Sequence, residues 1–309
     1  MPSFEKSLQS VLLSKNRSTH LKEIFLHLET NPNDSLMFWN HSHMKYLVLQ
    51  VLIQPYVNQA YTGHLNEIDS NDMNCNEINF NQREMKTDTF QQVITVLNIL
   101  QIIVIEESVR LDFINLNLPF YIYPYLNNFD QLESLRIASL GVFGQLLKNN
   151  DKNILNYLMS TEMIPFCLKL MDIGSNISRK ISIHIFYSII KDDHGLEYAC
   201  QTFERFIAIS VILNSMMLQL IDQQTIDLLE PILDCYLRLT EKQNVLFSFK
   251  SQRPEAVFND KLDSLLRTSN DNFNDVMIKD KSNNDISNHD RTSNEILKDK
   301  LKELRQRIG

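Results

Sequence analysis

The strongest constraint on what this chain can fold into is a unit that occurs twice between Ser134 and Leu213. The first copy reads SLRIASLGVFGQLLKNND followed by KNILNYLMSTEMIPFCLKLMDIG, and the second reads SRKISIHIFYSIIKDDHGLEYACQTFERFIAISVILNSM. An offset of 43 residues sets similar side chains against each other: Arg136 and Arg179, Leu147 and Ile190, Ile164 and Ile207, Leu170 and Leu213. Both copies place apolar residues at helical spacing and interrupt them with a polar turn.

A helical repeat of this length is typical of armadillo and HEAT arrays. One such unit cannot bury its apolar face alone, so neighbouring units must stack, and the array grows without one enlarging core. The low content of helix breakers, 6 Gly and 8 Pro in 309 residues, agrees with helices throughout. We therefore expect an all-α, armadillo-type helical repeat solenoid that forms one elongated domain.

Composition separates this domain from a polar tail. Residues 1–253 carry the helical pattern and are predicted to form the armadillo-repeat domain, with a flexible Asn-rich insert at 62–89 that has too few apolar residues to drive ordering. Residues 254–294 are similarly polar and are predicted to be a disordered linker. Residues 295–309 are predicted to form a terminal amphipathic helix that packs on the array or binds a partner. Its apolar residues step by four, three and four: Leu297, Leu301, Leu304 and Ile308.

Several local patterns predict individual helices. Residues 7–28 read as two short amphipathic helices, and 37–56 as one long buried helix. Ser108 is predicted to cap the helix that follows the apolar stretch 90–104. The segment LPFYIYPYL has two prolines and is predicted to be a short aromatic helix, at the place that IPFCLKLM occupies one repeat later.

The composition argues against several classes of function. A formal charge of −8, with 11 Lys and Arg against 14 Asp and Glu between Phe120 and Lys250, disfavours binding driven by nucleic-acid phosphates. The N-terminus lacks the pattern of a secretory signal, and the apolar run 93–105 is too short to span a bilayer. We expect a cytoplasmic protein, with the nucleus as an open alternative, and no membrane role. The cysteines form no CxxC pair and predict free thiols in a reducing compartment: Cys75, Cys167, Cys200 and Cys235.

The sequence contains no motif for an active site. Gly141 and Gly144 lie in a helical pattern without the Lys of a phosphate-binding loop, so we expect them to let two helices approach closely. His41 and His43 have no accompanying ligands that would complete a metal site. We therefore expect no catalytic residue, no cofactor and no metal, and a protein that is not an enzyme.

The second repeat copy contains a polar turn that could be mistaken for a catalytic pair. Asp192 and Asp193 diverge as neighbours in sequence and have no acid or base partner at a useful spacing, so we interpret them as a turn between helices. His194 and Gly195 are predicted to end a helix.

Five segments occur in order along the chain: LPFYIYPYL, SLRIASLGVFGQLLKNND, STEMIPFCLKLMDIGS, DDHGLEYACQTFERF and CYLRL. Together they resemble the required-for-cell-differentiation family, the armadillo-type subunits of the eukaryotic CCR–NOT messenger-RNA deadenylase complex. The resemblance is close from about residue 118 to 240 and weaker at 21–56, where MFWNHSH stands for the family's M-L-W-H-S-F. It implies an array of about six repeats. It also implies a non-enzymatic adaptor that docks on the NOT scaffold and binds short linear motifs of RNA-associated repressors. Other subunits then shorten poly(A), and translation is repressed.

The resemblance further implies a concave groove that binds a helical peptide. Ile53, Gly141 and Ile181 match the family in kind and are the expected groove residues. Four other groove positions depart from the family, with Asn40 and Ser42 in place of His and Phe, Tyr46 in place of a small residue and Ser134 in place of an aromatic one. These departures leave open which motifs still bind.

A second implied surface is a tryptophan pocket near QTFERF. Phe203 would form an apolar wall, and the guanidinium of Arg205 would stack on an indole. Ala208 and Asn244 replace the His and Arg that the family has nearby. Core packing of Phe203 and a surface ion pair of Arg205 are the structural alternatives.

Other functions stay open beside the deadenylase adaptor. The chain could serve as an armadillo adaptor in another complex, or bind nucleic acid weakly if its basic residues gather in a groove: Arg136, Arg179, Lys180 and Arg205. Homodimerisation and the roles of the insert and the tail are open as well.

Overall fold

The computed structural model describes residues 4–13, 16–63, 87–127, 133–267 and 284–309, with the backbone alone at 58–63 and 284–293. All regular structure in these ranges is α-helix or 3-10 helix, and none of it is strand. The prediction of an all-α helical repeat fold is confirmed. The chain divides into two compact units, Met1–Ser160 and Thr161–Gly309.

The first unit is built from helices of six to twenty residues, connected mostly by short turns. Its α-helices are α1 (Phe4–Leu13), α2 (Arg17–Thr30), α3 (Ser35–Asn40), α4 (Met44–Gly63), α5 (Thr87–Ile103), α6 (Glu107–Asn115), α7 (Glu133–Leu147) and α8 (Lys152–Ser160). Short 3-10 helices lie at Pro32–Asp34, Leu118–Tyr121 and Tyr123–Leu126.

Helix α5 is central to the first unit because it packs against α2, α4 and α7. Its predicted apolar face is fully buried: Val93, Val96, Leu97, Leu100, Ile103 and Val104. Each such side chain contributes about 1.5–3 kcal/mol when removed from water, so this face is a major source of stability. The helix also begins at Thr87, which places the end of the predicted insert inside α5; residues 64–86 of the insert lie outside the described residues.

The second unit continues the helical order after Ser160. Its helices are α9 (Met163–Ile173), α10 (Asn176–Lys191), α11 (Asp193–Ala199), α12 (Phe203–Gln223), α13 (Leu229–Leu239), α14 (Gln243–Gln252), a 3-10 helix at Glu255–Phe258, α15 (260–267) and α16 (Asn284–Ile308). Helix α9 packs against α10 and α12, α10 packs against α13, and α13 packs against α16.

The two predicted repeat copies are two three-helix blocks. Helices α7, α8 and α9 form the first block in sequence, and α10, α11 and α12 form the second, with starting positions 43, 41 and 40 residues later. Leu170 and Leu213 are both fully buried, as their pairing predicted. The paired arginines differ: Arg136 is buried, whereas Arg179 donates to the carbonyl of Asp172 at 2.7 Å. The repeat therefore predicts the burial of its apolar positions more reliably than that of its polar positions.

The long helix predicted before the insert is broken by a turn at 41–43. His43 has φ 69°, a left-handed conformation that stops α3 from running into α4. Side chains on both sides of the turn bind one carboxylate: Nε1 of Trp39 donates to Asp112 at 2.9 Å, and Lys45 also pairs with it. The hydrogen bond from Lys45 lowers the pKa of Asp112. Long-range contacts with α6 thus hold a break that the apolar pattern does not reveal.

The segment LPFYIYPYL is helical, as predicted, but it is not one continuous helix. It forms two short 3-10 helices that are anchored to α4 through tyrosines. The hydroxyl of Tyr125 donates to the carbonyl of Leu52 at 2.6 Å, and that of Tyr56 donates to Tyr121 at 3.1 Å. Burial raises the pKa of both Tyr56 and Tyr125, so the pair stays protonated. The parallel with IPFCLKLM, which lies in the regular helix α9, therefore does not extend to local structure.

Two predicted helix ends are misplaced. Ser108 lies in the first turn of α6 and does not cap it. His194 and Gly195 begin α11 rather than end a helix, since Asp192 is the cap and accepts a hydrogen bond from the backbone N–H of His194 at 2.8 Å. The prediction that Asp192 and Asp193 connect two helices holds for Asp192, which lies between α10 and α11, whereas Asp193 is the first residue of α11.

The predicted disordered linker 254–294 is partly helical. The 3-10 helix at Glu255–Phe258 and α15 bury four apolar side chains: Ala256, Val257, Leu262 and Leu266. The backbone N–H of Ala256 also donates to Oδ1 of Asn214 on α12 at 3.0 Å. Helix α16 begins at Asn284, within the same predicted linker, and residues 268–283 lie outside the described residues.

Helix α16 packs on the array through the predicted apolar stripe. All four stripe residues are buried: Leu297, Leu301, Leu304 and Ile308. Lys300 pairs with Glu230 at 2.9 Å and with Asp234 at 2.7 Å, and Arg307 donates to the carbonyl of Leu237 at 3.1 Å. Apolar burial and charge pairing therefore fix α16 against α13.

We predict opposite effects of alanine at two helical glycines. An added Cβ at Gly195 would lie 1.9 Å from the carbonyl oxygen of Ile189, whereas nothing lies within 4 Å of one at Gly144. Gly195→Ala should lower the free energy of unfolding by about 2 kcal/mol or more, because backbone must move. Gly144→Ala should raise it by about 0.5–1 kcal/mol through helix propensity.

Denaturant unfolding followed by circular dichroism measures both effects. A Gly195→Ala variant as stable as the native chain would contradict the close approach of α11 to the end of α10.

Candidate interaction surfaces

Two of the predicted groove residues lie in the first unit. Ile53 is on α4 and Gly141 is on α7, both are half-buried, and α5 packs against both helices. At Gly141 an added Cβ would lie 2.5 Å from Oε1 of Gln101 on α5, so the predicted close approach occurs there. Nε2 of Gln101 also donates to the carbonyl of Ala138 at 3.1 Å. The same prediction is wrong for Gly144, which faces open space.

The groove positions that depart from the family pattern are all on the surface of the first unit: Asn40, Ser42, Tyr46 and Ser134. Tyr46 is 73% exposed, and its ring lies 6.4 Å from that of His43 in the turn before α4. An exposed phenol ring therefore occupies a position where the resemblance implies a small side chain. These substitutions alter the surface and leave the apolar core unchanged.

The third groove residue, Ile181, lines a hollow in the second unit. The hollow has a volume of about 270 Å³ and lies between α10, the end of α12 and the start of α13. Ile177, Leu220 and Leu228 provide further apolar lining, and Lys180 and Asp227 provide charges. Ile177 is 54% exposed, so an apolar surface is available to a ligand. Sequence reasoning identified Ile181 as a groove residue and Lys180 as a candidate basic groove residue, but it missed the other lining residues.

His184 follows Lys180 by one helical turn on α10. Partial desolvation by its neighbours lowers the pKa of His184, and the charge of Lys180 lowers it further, although Glu230 and Asp234 oppose this shift. The imidazole is therefore neutral at pH 7, and it adds no positive charge to this face of α10.

The two residues of the predicted tryptophan pocket lie in the first turn of α12. Phe203 is 62% exposed, which excludes core packing as its role. The guanidinium of Arg205 lies 4.2 Å from the ring centroid of Tyr198 and donates to the carbonyl of Tyr198 at 3.2 Å. It also donates to Oε1 of Gln201 at 3.1 Å. Arg205 thus stacks on a ring of its own chain and, within the described residues, forms no ion pair.

Further apolar side chains are exposed on α12 and α14 beyond the predicted pocket. Phe203, Ile207 and Val211 follow one another at intervals of four on α12, and Val211 is 60% exposed. Phe247 on α14 is 73% exposed. Ala208 and Asn244, the two departures from the family pattern, are exposed on the same helices. The sequence does contain an indication of this surface, because α12 carries apolar residues on more than one side, more than its buried side requires.

A second hollow, of about 450 Å³, lies beside this surface. Its lining combines apolar side chains with amides and hydroxyls of α12 and the end of α14: Ser210, Val211, Asn214, Ser215, Leu218, Gln219, Phe249 and Gln252 are among them. Arg253 closes it with φ 38°, and its guanidinium stacks on Phe258 at 4.2 Å. Polar and apolar groups of this kind can bind the backbone and side chains of a peptide.

Helix α12 is, among the described residues, the one helix long and apolar enough to cross a bilayer by length and composition. In the structure it packs against α9, α13 and the 3-10 helix at Glu255–Phe258. Its buried residues include Phe206, Ile209 and Leu213. These contacts are those of a core helix with one exposed side.

The described residues contain no group of three or more His, Cys, Asp or Glu placed to hold a metal ion. His41 and His43 lie in the turn before α4. Cys167 and Cys235 are buried free thiols, and burial raises the pKa of Cys200 to about 11, so the thiolate form is disfavoured at neutral pH. Cys75 lies outside the described residues.

Alanine substitution of two phenylalanines on α12 tests which side of this helix is exposed to solvent. Phe206 is 3% exposed and its ring lies 5.2 Å from that of Phe249, in contrast to Phe203. Phe206→Ala should lower the free energy of unfolding by about 3–5 kcal/mol. Phe203→Ala should change it by less than about 0.5 kcal/mol. Urea unfolding of both variants distinguishes them, and equal losses would show that Phe203 is a core residue.

Comparison with known proteins gives a consistent family. The model of the Rcd1-like cell differentiation family matches residues 8–280. Cell differentiation protein rcd1 of Schizosaccharomyces pombe is 38% identical over 172 residues, which is 55% of this chain and 61% of the relative. Protein CAF40 of Saccharomyces cerevisiae is 34% identical over 154 residues, 48% of this chain and 41% of the relative. The matched regions thus span less than two thirds of either relative. The predicted resemblance is confirmed, and the chain belongs to the Rcd1-like cell differentiation family.

Proposed function

We propose that this chain is a non-enzymatic adaptor subunit of the CCR–NOT messenger-RNA deadenylase complex. In this role it docks on the NOT scaffold and binds peptide motifs of RNA-associated repressors, which promotes deadenylation and translational repression in the cytoplasm. The observation that carries the proposal is the family match over residues 8–280, together with the similarity to CAF40. The fold alone would support any helical-repeat scaffold.

The exposed apolar surfaces support an adaptor role. Exposed aromatic side chains are typical anchors of protein interfaces, and the second unit presents Phe203 and Phe247 in this way. The hollow at Ile181 is mainly apolar and has one positive and one negative side chain at its edge, Lys180 and Asp227. An amphipathic peptide could bury its apolar side there and keep its polar side in water.

Three of the four basic residues that could have formed a nucleic-acid groove are buried or already hydrogen-bonded within the chain. Arg136 is 2% exposed and belongs to the first unit. Arg179 is hydrogen-bonded to Gln219, and Arg205 is stacked on Tyr198. Arg136 is therefore out of reach of a phosphate backbone, and the N–H groups of Arg179 and Arg205 are partly used within the chain, while Lys180 is exposed on α10. This arrangement favours peptide ligands over a nucleic acid, which needs several available cations along its path.

Affinity purification of the tagged full-length chain from its native cells tests the proposal. The NOT scaffold should copurify. In an Ile177→Glu, Ile181→Glu double variant, repressor proteins should be lost, because two carboxylates would enter the apolar hollow, whereas the scaffold should be retained. Lys152→Glu with Asn153→Glu, on the exposed side of α8, is the matched control and should lose neither.

Absence of the NOT scaffold from the purified native chain would reject the deadenylase assignment. Recovery of a different stable complex would instead favour an adaptor outside messenger-RNA decay.

A further inference from the structure

A strongly basic hollow lies between α15 and α16, away from the surfaces described above. It has a volume of about 500 Å³. Four cationic side chains and one carboxylate line it, which gives a formal charge of +3 in a chain whose total is −8: Arg267, Lys298, Lys302, Arg305 and Asp263. The lining of this hollow is thus positively charged, although the chain as a whole is acidic.

The hollow is preformed, because both of its helices are fixed by other contacts. Leu266 and Leu301 are buried and form its apolar floor. Arg305 is fixed at the base, since Nε donates to the carbonyl of Val257 at 2.7 Å and Nη1 donates to Asp263 at 2.9 and 3.0 Å. A site whose groups are already held in place loses little entropy when it binds a ligand.

The charges at the rim of the hollow are not neutralised. Arg305 and Asp263 compensate each other, which leaves Arg267 on α15 and Lys298 and Lys302 on α16. In the described part of the chain these three residues form no ion pair, and Arg267 and Lys302 are exposed to water. Three cations from two helices therefore surround one concave space without an internal anion.

We propose that this hollow binds phosphorylated serine or threonine in an acidic segment of a partner protein. A phosphate monoester carries a charge of about −1.5 to −2 and three strong acceptor oxygens, which can pair with one guanidinium and two ammonium groups at once. Acidic residues on either side of the phosphate would suit the surrounding positive field.

The shape of the charge distribution favours a compact anion over a nucleic acid. A nucleic-acid strand needs a stripe of cations along its path, and here the free cations are gathered around one hollow of about 500 Å³. The site also lies partly outside the region shared with the family, because the family model ends at residue 280 and α16 begins at Asn284. The inference does not depend on the proposed function.

Fluorescence anisotropy with the full-length chain tests this site. The probe is a labelled acidic peptide that carries two phosphoserines, compared with the same peptide without phosphate. The phosphorylated peptide should bind at least about tenfold more tightly, and added salt should weaken its binding. Lys298→Ala with Lys302→Ala should weaken binding by about tenfold or more, and Arg267→Ala, on the other helix, should weaken it independently.

Lys22→Ala with Lys250→Ala removes two exposed lysines elsewhere and is the matched control, with unchanged affinity expected. Thermal unfolding of every variant establishes that the fold is retained. Equal binding of the two peptides, or full binding by the Lys298→Ala, Lys302→Ala variant, would overturn the proposal. Binding of labelled oligoadenylate as tightly as the phosphopeptide, with loss in the same variant, would also overturn it and assign the hollow to nucleic acid.

Discussion

Burial of α10 between neighbouring helices is the contact on which the second unit depends. Within the second unit this helix packs against α9, which precedes it, and against α13, which follows it, so it joins helices on both sides of it. Its buried apolar residues are Ile183, Ile185, Phe186, Ile189 and Ile190. At roughly 1.5–3 kcal/mol each, their removal from water contributes on the order of 10 kcal/mol, an upper bound that chain entropy offsets. The end of α10 is also secured, because Nε of Arg238 on α13 donates to the carbonyl of Ile190 at 2.9 Å.

The apolar periodicity of the sequence predicted most of the helices because it reports directly on burial. The stripe at Leu297 and Leu301 and the face of α5 were correct residue by residue. Two of the failures share a different cause, because each involves a contact between residues far apart in sequence. The break at His43 depends on Asp112, and the order after Arg253 depends on the bond between Ala256 and Asn214. No local pattern encodes such pairs.

The candidate surfaces were predictable only in part for the same reason. Phe203 and Phe206 are the same residue type and lie one turn apart on α12, yet Phe203 is exposed and Phe206 is buried. Packing decides between them, because the ring of Phe206 lies 5.2 Å from that of Phe249 on α14. Arg205 could be identified as a stacking residue, but its partner, Tyr198, became evident from the three-dimensional arrangement. Residue type thus indicated the chemistry, and packing determined which groups remain available.

Packing also determines which cationic side chains of α16 form ion pairs and which remain unpaired. Lys300 faces α13 and pairs there with Glu230 and Asp234. Arg307 donates to the carbonyl of Leu237 on α13 and pairs with Glu303 of its own helix. Burial opposes the charge of Lys300, yet its two carboxylate partners raise its pKa overall, so this lysine remains charged and keeps the helix in place. Because the acidic partners lie on the α13 side, they cannot compensate Lys298 and Lys302, which line the hollow that α16 forms with α15. The ion pairs that fix α16 therefore also leave its remaining lysines free for an external anion.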